Sequence, residues 1–296
     1  MRTSTKIKNK QDRWFYFFCH AVVTILTLLV LYPVIYIISA SFSNSDMVVQ
    51  GKVWLWPVDF SLQAYEIILK RPQIWNGYKN TIIYTVAGTL LNVAITLMCA
   101  YPMARKNLRG RGMIMFIFTF TMMFSGGMIP NYILVKNLGI MNTRWSVILP
   151  GAMSVYNMIV CRTFIENNIP DEMLEAAQID GCSNTQFFIR MVLPLSKAIL
   201  AVLTLWYGVS HWNSYFNAFL YLRDQELYPL QIFLKEILIQ SEQLGGDDLI
   251  DVENISTIYV TLKYCIIVVS SAPLFCVYPF VQKHFQKGVM VGSVKG

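Results

Sequence analysis

Residues 81–103 read Thr81-Ile-Ile-Tyr-Thr-Val-Ala-Gly-Thr-Leu-Leu-Asn-Val-Ala-Ile-Thr-Leu-Met-Cys-Ala-Tyr-Pro-Met103. The run carries no charged residue. It is longer than the ~20 apolar residues a helix needs to cross a bilayer core about 30 Å thick. Five more stretches of this kind lie at approximately 15–38, 113–133, 145–165, 198–221 and 258–281. None holds an Asp or Glu, and Lys263 sits one turn into the last, where its stem can snorkel to an interface. The spans predict an all-α, polytopic membrane protein with six transmembrane helices. The expected division is an arm over 1–14, a membrane domain over 15–281 and a tail over 282–296.

Composition agrees. Of 296 residues, 55% are hydrophobic and 14% charged, against about 25% charged in soluble domains. This excludes a soluble enzyme, a disordered chain and a nucleic-acid binder with a charged face. The first span exceeds the apolar core of a signal peptide, so it reads as a retained helix although Ser39-Ala40-Ser41 resembles a cleavage site. The six cysteines form no CxxC or Cys/His cluster, so they read as free thiols acting as small hydrophobes, and no metal site is expected.

Charge sets the orientation. The N-terminal arm holds Arg2, Lys6, Lys8, Lys10 and Arg13, and the second connection holds Arg105, Lys106, Arg109 and Arg111 with no acid. Residues 222–257 hold only Arg223 and Lys235 against eight acids. Lys and Arg collect in cytoplasmic segments, so both termini are expected there. The net charge of +7 is then an asymmetry across a membrane, not a nucleic-acid footprint.

The connection at 166–197 must also be cytoplasmic. Pro170, Asp171 and Glu172 suit the first turn of a helix. Leu174, Ala177 and Ile179 are expected near one another on a short amphipathic helix, which Gly181 stops. Ser183 or Asn184 can cap a second helix carrying Phe187, Phe188 and Met191, and Pro194 breaks into the fifth span. Physics alone reads a helix–turn–helix over 168–194, either a plain surface connector or a docking element with small Ala176 and Ala177 admitting a partner.

Glu175-Ala176-Ala177, with Gly181 and the later Leu193-Pro194, resembles the EAA signature of permease subunits of ATP-binding-cassette importers. Met191 stands where that signature usually has Ile. Phe124-Ser-Gly126-Gly127-Met-Ile-Pro130, Leu138-Gly139, Trp145 and Ile148-Leu-Pro150 look like carbohydrate-uptake permeases of the maltose-permease type, closest to the lipo-oligosaccharide or polysaccharide-fragment branch. The resemblance implies a type I importer permease in the bacterial plasma membrane. It implies a second homologous permease, two ATPase subunits that bind ATP and Mg, an extracellular solute-binding protein and an oligosaccharide substrate in a lipid setting. Glu175 would then contact the ATPase, Ala176 and Ala177 would pack in its cleft, and Asp180 and Gly181 would shape the turn. The tail, with Gly288 and Gly292, would reach towards the ATPase.

The fifth span holds Trp206, Tyr207, His211, Trp212, Asn213, Tyr215 and Asn217. Sugars offer apolar C–H faces and hydroxyl edges, which aromatic rings and amides match. At 100° per residue, Trp206, Asn213 and Asn217 should share a face, with Tyr207, His211 and Tyr215 beside it. An interfacial belt or core packing is the alternative, and His211 alone reads as a packing residue rather than a proton relay. Gly245-Gly246-Asp247-Asp248 is a candidate receptor-contact loop, equally readable as a solvated loop, and it lacks Ca²⁺-loop spacing. Trp54, Trp56 and Pro57 mark a second docking candidate.

No Gly-x-x-x-x-Gly-Lys-Ser/Thr, HExxH or GxSxG motif is present, so the chain is expected to be a non-catalytic subunit. An ion-coupled secondary transporter would carry intramembrane acids or paired charges. A membrane-embedded glycan-modifying enzyme would cluster catalytic groups at one face. Neither pattern is found.

Overall fold

The computed structural model describes the backbone over 10–244 and 253–292, and side chains over 12–240, 258–276 and 279. In chain order the helices are α1 (Lys10–Ser41), α2 (Ser45–Val49), α3 (Gln63–Leu69), α4 (Pro72–Ala104), α5 (Arg111–Met123), α6 (Met128–Asn137), α7 (Arg144–Ile148) and α8 (Val155–Asn168). There follow α9 (Asp171–Ile179), α10 (Asn184–Phe187), α11 (Leu193–Leu195), α12 (Lys197–Trp212), α13 (Phe216–Tyr221), α14 (Leu230–Leu244) and α15 (Glu253–Gly292). A π-helical turn, Phe188–Val192, joins α10 to α11. Among the described residues there is no strand; the one bridge pairs Ser43 with Phe60.

Three of the expected spans are uninterrupted helices, in α1, α4 and α15; these three are long and apolar enough to cross a bilayer. The other three break. The stretch at 113–133 is α5 and α6 at 113°, and α12 meets the α10–α11 segment at 79°. Counting each bent pair as one span gives up to five crossings among the described residues. The stretch at 145–165 is α7, a loop over 149–154 and α8. With 14 residues, α8 rises about 21 Å, short of a ~30 Å core. Pro150-Gly151 ends α7, Gly151 having φ +112°. The stretch at 198–221 opens at Asn213-Ser214-Tyr215 between α12 and α13.

The chain divides into two compact units, residues 1–70 with 236–270 and residues 71–235 with 271–296. In the first, Ala40, Val48 and Val53 form a small core, with Tyr36 and Tyr264 packed against it. Lys263 Nζ lies 5.0 Å from the Tyr264 ring centre, so the interior cation rests on an aromatic face.

The second unit is organised by α4. Pro72 starts it without losing a needed donor. Its buried side carries Ile74, Tyr84, Leu97 and Met103 and, between them, a ladder of small and polar residues: Gly77, Thr81, Gly88, Thr89, Asn92, Thr96 and Ala100. Small residues let helix backbones approach closely where lipid supplies no hydrophobic drive between helices. Helices α8 and α12 pack against this side, and Met158, Cys161, Ile165, Ile199, Leu203 and Phe187 complete the core. At the start of α4, Asn80 donates to the carbonyls of Glu226 (2.6 Å) and Tyr228 (3.1 Å), and Tyr84 donates to Leu227 O (2.8 Å). These side chains satisfy a loop backbone that would otherwise be orphaned. All six cysteines are free.

Candidate functional site

Two breaks in the helices meet at a cavity of about 350 Å³, at the lower end of the ~300–1,000 Å³ typical of small-molecule sites. The loop between α7 and α8 contributes Pro150, Gly151 and Ser154, the opening after α12 contributes Ser214, and the first turn of α13 contributes Asn217. Helices contribute Asn92, Val147, Asn157, Trp206, Tyr207, Ser210 and His211. The lining therefore has amides, hydroxyls, an imidazole and aromatic rings, with no Asp, Glu, Lys or Arg.

A hydrogen-bond frame holds this wall. In the amide orientation that satisfies its neighbours, Asn92 donates to Gly88 O (2.9 Å) and Ala152 O (3.2 Å) and accepts from His211 Nε2 (3.1 Å). That orientation assigns the His211 proton to Nε2. The ring lies against the α-carbon of Gly88, where a Cβ would fall 2.5 Å from two ring atoms. The Tyr207 hydroxyl is bonded to Thr96 Oγ1 (2.7 Å) and accepts from Ser154 N (3.0 Å). Asn217 donates to Pro150 O (3.3 Å). Unwound backbone is tolerated at membrane depth where it lines a cavity or is satisfied by protein, and both conditions hold here.

Of the aromatic and amide residues singled out in the fifth span, Trp206, Tyr207, His211 and Asn217 come together on the cavity. Trp212 is buried instead and lies 6.5 Å from Tyr78. Asn213 folds back to donate to Val209 O (2.9 Å). Tyr215 stacks on Phe219 at 5.5 Å, with Lys235 Nζ 6.0 Å from its ring. Trp206 and Asn217 meet on the cavity although the helix breaks between them, whereas Asn213 leaves the expected face because its amide turns back to Val209 O. Asn92, Ser154 and Asn157 were missed. Their signal was polarity inside otherwise apolar runs.

The second constellation is the connection at 166–197. Asp171 and Glu172 lie in the first turn of α9, after Pro170. Gly181 adopts φ +78°. Its N–H donates to Gln178 O (3.0 Å) and the next N–H, of Cys182, to Ala177 O (2.9 Å), a Schellman-type stop. Ser183 caps α10 in a reciprocal box with Gln186. The expected grouping of Leu174, Ala177 and Ile179 is corrected: Leu174 is buried and Ala177 packs beside it, but Ile179 is 87% exposed. Five residues beyond Leu174 is about 140° round the helix. The outer face therefore presents Glu175, Ala176, Ile179 and Asp180, all exposed. Leu193 is partly buried and Pro194 exposed, and Pro194 sits inside the short α11.

Ion pairs fasten this connection to its neighbours. Glu166 accepts from Arg111 (2.7 Å) and Arg162 (3.0 Å), and Arg105 pairs with Asp171 at 3.1 Å. The partly exposed Glu166 pairs contribute about 0–1 kcal/mol each, whereas the Arg105 side chain is 9% exposed and its pair is a buried one; in all three the weight lies in geometry. Gly288 and Gly292 fall on α15. Gly245, Gly246, Asp247 and Asp248 lie outside the described residues.

The chain is similar to the polygalacturonan/rhamnogalacturonan transport system permease protein YtcP of Bacillus subtilis (strain 168), 39% identical over 286 residues, covering 97% of this chain and 100% of that one. It is also 39% identical over 266 residues to protein LplC of the same organism, covering 89% of each. Among solved structures it resembles a bacterial ABC transporter involved in the import of the acidic polysaccharide alginate, with TM-score 0.85 and 36% identity over 95% of this chain and 100% of that one. The fold is that of a type I ABC importer permease. Such a permease works with a separate ATPase, which hydrolyses the ATP, and with a solute-binding protein. The family of binding-protein-dependent transport system inner membrane components matches residues 92–291, and the chain belongs to that family.

Proposed function

We propose that this chain is one of two homologous permeases in an importer that carries acidic oligosaccharides across a bacterial plasma membrane. The observation that carries the reading is the cavity at the two helix breaks, rich in hydroxyls, amides and rings and free of formal charge. Hydroxyls and amides pair with sugar hydroxyls, and rings such as Trp206 take the C–H faces. A wall without carboxylates leaves a uronate unrepelled. YtcP is named for polygalacturonan and rhamnogalacturonan, and the solved relative imports alginate.

In this reading the chain crosses the membrane six times with both termini in the cytoplasm, as the Lys/Arg asymmetry requires. The membrane domain spans 15–281, between the arm 1–14 and the tail 282–296. Two ATPase subunits bind ATP with Mg. Their closure moves α9 through its outer face of Glu175, Ala176, Ile179 and Asp180. Ala177 supports that face from behind, Gly181 sets the turn, and Leu193 and Pro194 hand the motion to α12. Paired permeases then exchange inward and outward access. Gly288 and Gly292 bring the tail to the ATPase, and the loop at Gly245, Gly246, Asp247 and Asp248 meets the receptor.

Selectivity is tested by Ser210→Asp, at an exposed position on the cavity. In proteoliposomes holding the full importer, uptake of a labelled trigalacturonate should fall about tenfold relative to a neutral trisaccharide, through like-charge repulsion. Equal loss for both sugars would reject the acidic-substrate assignment. Docking is tested by Ala176→Trp. Its exposed site leaves the fold intact, so the chain should insert normally while its co-purifying ATPase falls several-fold. The purified chain alone should hydrolyse no ATP.

A further inference from the structure

We infer that Arg105 is a positioning residue that transmits the ATPase stroke from the α9–α10 connection into α4 and so to the cavity wall. This rests on the docking role given above to α9. Arg105 ends α4 and is only 8% exposed. Its Nη1 donates to Asp171 Oδ1 (3.1 Å), in the first turn of α9, and to Ile169 O (3.2 Å), in the link before it. The guanidinium carbon lies 5.0 Å from the Tyr101 ring centre and 5.5 Å from that of Phe187, in α10. One cation thus touches α4, α9, α10 and their link.

The arrangement is poorly explained as a stability device. Nε and Nη2 are buried and find no acceptor among the described residues. A buried ion pair with unmet donors stabilises no better than an apolar side chain of similar volume. It does fix a register, because a planar cation between two rings and one carboxylate tolerates few placements. Tyr101 adds to the grip, 5.1 Å from the Phe188 ring on the α10 side.

The same helix carries the cavity frame. Thr96 lies nine residues before Arg105, about 14 Å along the axis, and Asn92 about 20 Å. Thr96 holds the Tyr207 hydroxyl and Asn92 holds His211. A displacement of α9 that drags Arg105 therefore moves α4 beneath both contacts. Read as a sequence, Arg105 is one more cation of a cytoplasmic connection; its burial gives it this different role.

The test uses the complete importer, reconstituted with its second permease, ATPases and receptor. Arg105→Met keeps the apolar stem and removes the charge. The complex should assemble and hydrolyse ATP, while sugar taken up per ATP falls about tenfold, within the usual range of a coupling free energy. Arg105→Lys should recover part of this, since an ammonium reaches the carboxylate but lacks the planar fit between rings. Arg105→Met combined with Asp171→Leu should be no worse than Arg105→Met alone, because both remove one linkage. Wild-type uptake per ATP in Arg105→Met overturns the inference, and so does loss of ATPase from the complex, which would mark a scaffold residue. If Arg105→Met fails to insert, Asp171→Leu alone decides by the same criteria. Retention of ATPase in Ala176→Trp would instead count against the docking reading itself. Release of ATPase there, with normal coupling in Arg105→Met, would sink this inference alone.

Discussion

Gly88→Ala is expected to lower uptake about tenfold or more while the chain still inserts. The added methyl would sit 2.5 Å from His211 Cε1 and Nε2 and 2.9 Å from Cδ2. No real contact survives at that distance, so the ring must leave. Moving it strains or breaks its bond to Asn92 (3.1 Å), and the cavity that His211 lines offers the ring room. Overpacking of this kind costs about 1–3 kcal/mol. Asn92 then holds an unmet acceptor facing the space a sugar would occupy. Two measurements separate local obstruction from general damage. The Gly88→Ala chain should assemble with its partners at normal yield, and His211→Ala in the same chain should restore room and recover part of the uptake. Wild-type uptake in Gly88→Ala, or no gain in the double variant, would show that the ring does not bound the pathway.

The membrane-length helices within α1, α4 and α15 were legible because the bilayer imposes one crude requirement, a long apolar run, and composition reports it directly. Within the other runs the breaks were illegible. A window over 145–165 averages across Pro150 and Gly151, which end α7, and a window over 198–221 averages across Asn213 and Ser214. The first interruption is stabilised by distant groups: Asn217 donates to the carbonyl of Pro150, and the Tyr207 hydroxyl accepts from the N–H of Ser154. Such bonds belong to tertiary packing and leave no local pattern.

The α9–α10 connection shows the opposite case. Its helix start, stop and second cap follow from Pro170, Asp171, Gly181 and Ser183, whose effects act within a few residues, and the structure has all of them. What fails there is a rotation: Ile179 is expected beside Leu174 and Ala177, although five residues from Leu174 put it on a different side of the helix. In the sequence Arg105 and Arg111 stand only as orienting charges. Their partners Asp171 and Glu166 are 66 and 55 residues away, beyond any local rule. The cavity was half legible, since residue type pointed to Trp206, Tyr207, His211 and Asn217 but equally to Trp212, Asn213 and Tyr215, which lie off it, whereas Asn92 needed α4 packed against α12 to become visible.

Gly181→Pro carries the other large expected effect, a fall in uptake of about a hundredfold with normal insertion. The residue sits at φ +78°, and proline is locked near −65°. Proline also removes the N–H that bonds Gln178 O at 3.0 Å. With that turn lost, the Cys182 bond to Ala177 O goes too, and α10 leaves α9 in a different direction. A misfit of about 3 kcal/mol at this joint is enough for the hundredfold figure if the α9–α10 angle governs transmission. Graded substitutions identify the cause. No atom lies within 4 Å of a Cβ built at Gly181, so alanine meets only the backbone penalty of about 1–2 kcal/mol, and asparagine, which tolerates this region better, meets less. Uptake should therefore fall in the order Gly, Asn, Ala, Pro. If alanine and asparagine were instead as damaging as proline, the decisive property of Gly181 would be its bare α-carbon, pressed against the ATPase in the assembled importer, rather than its dihedral angle.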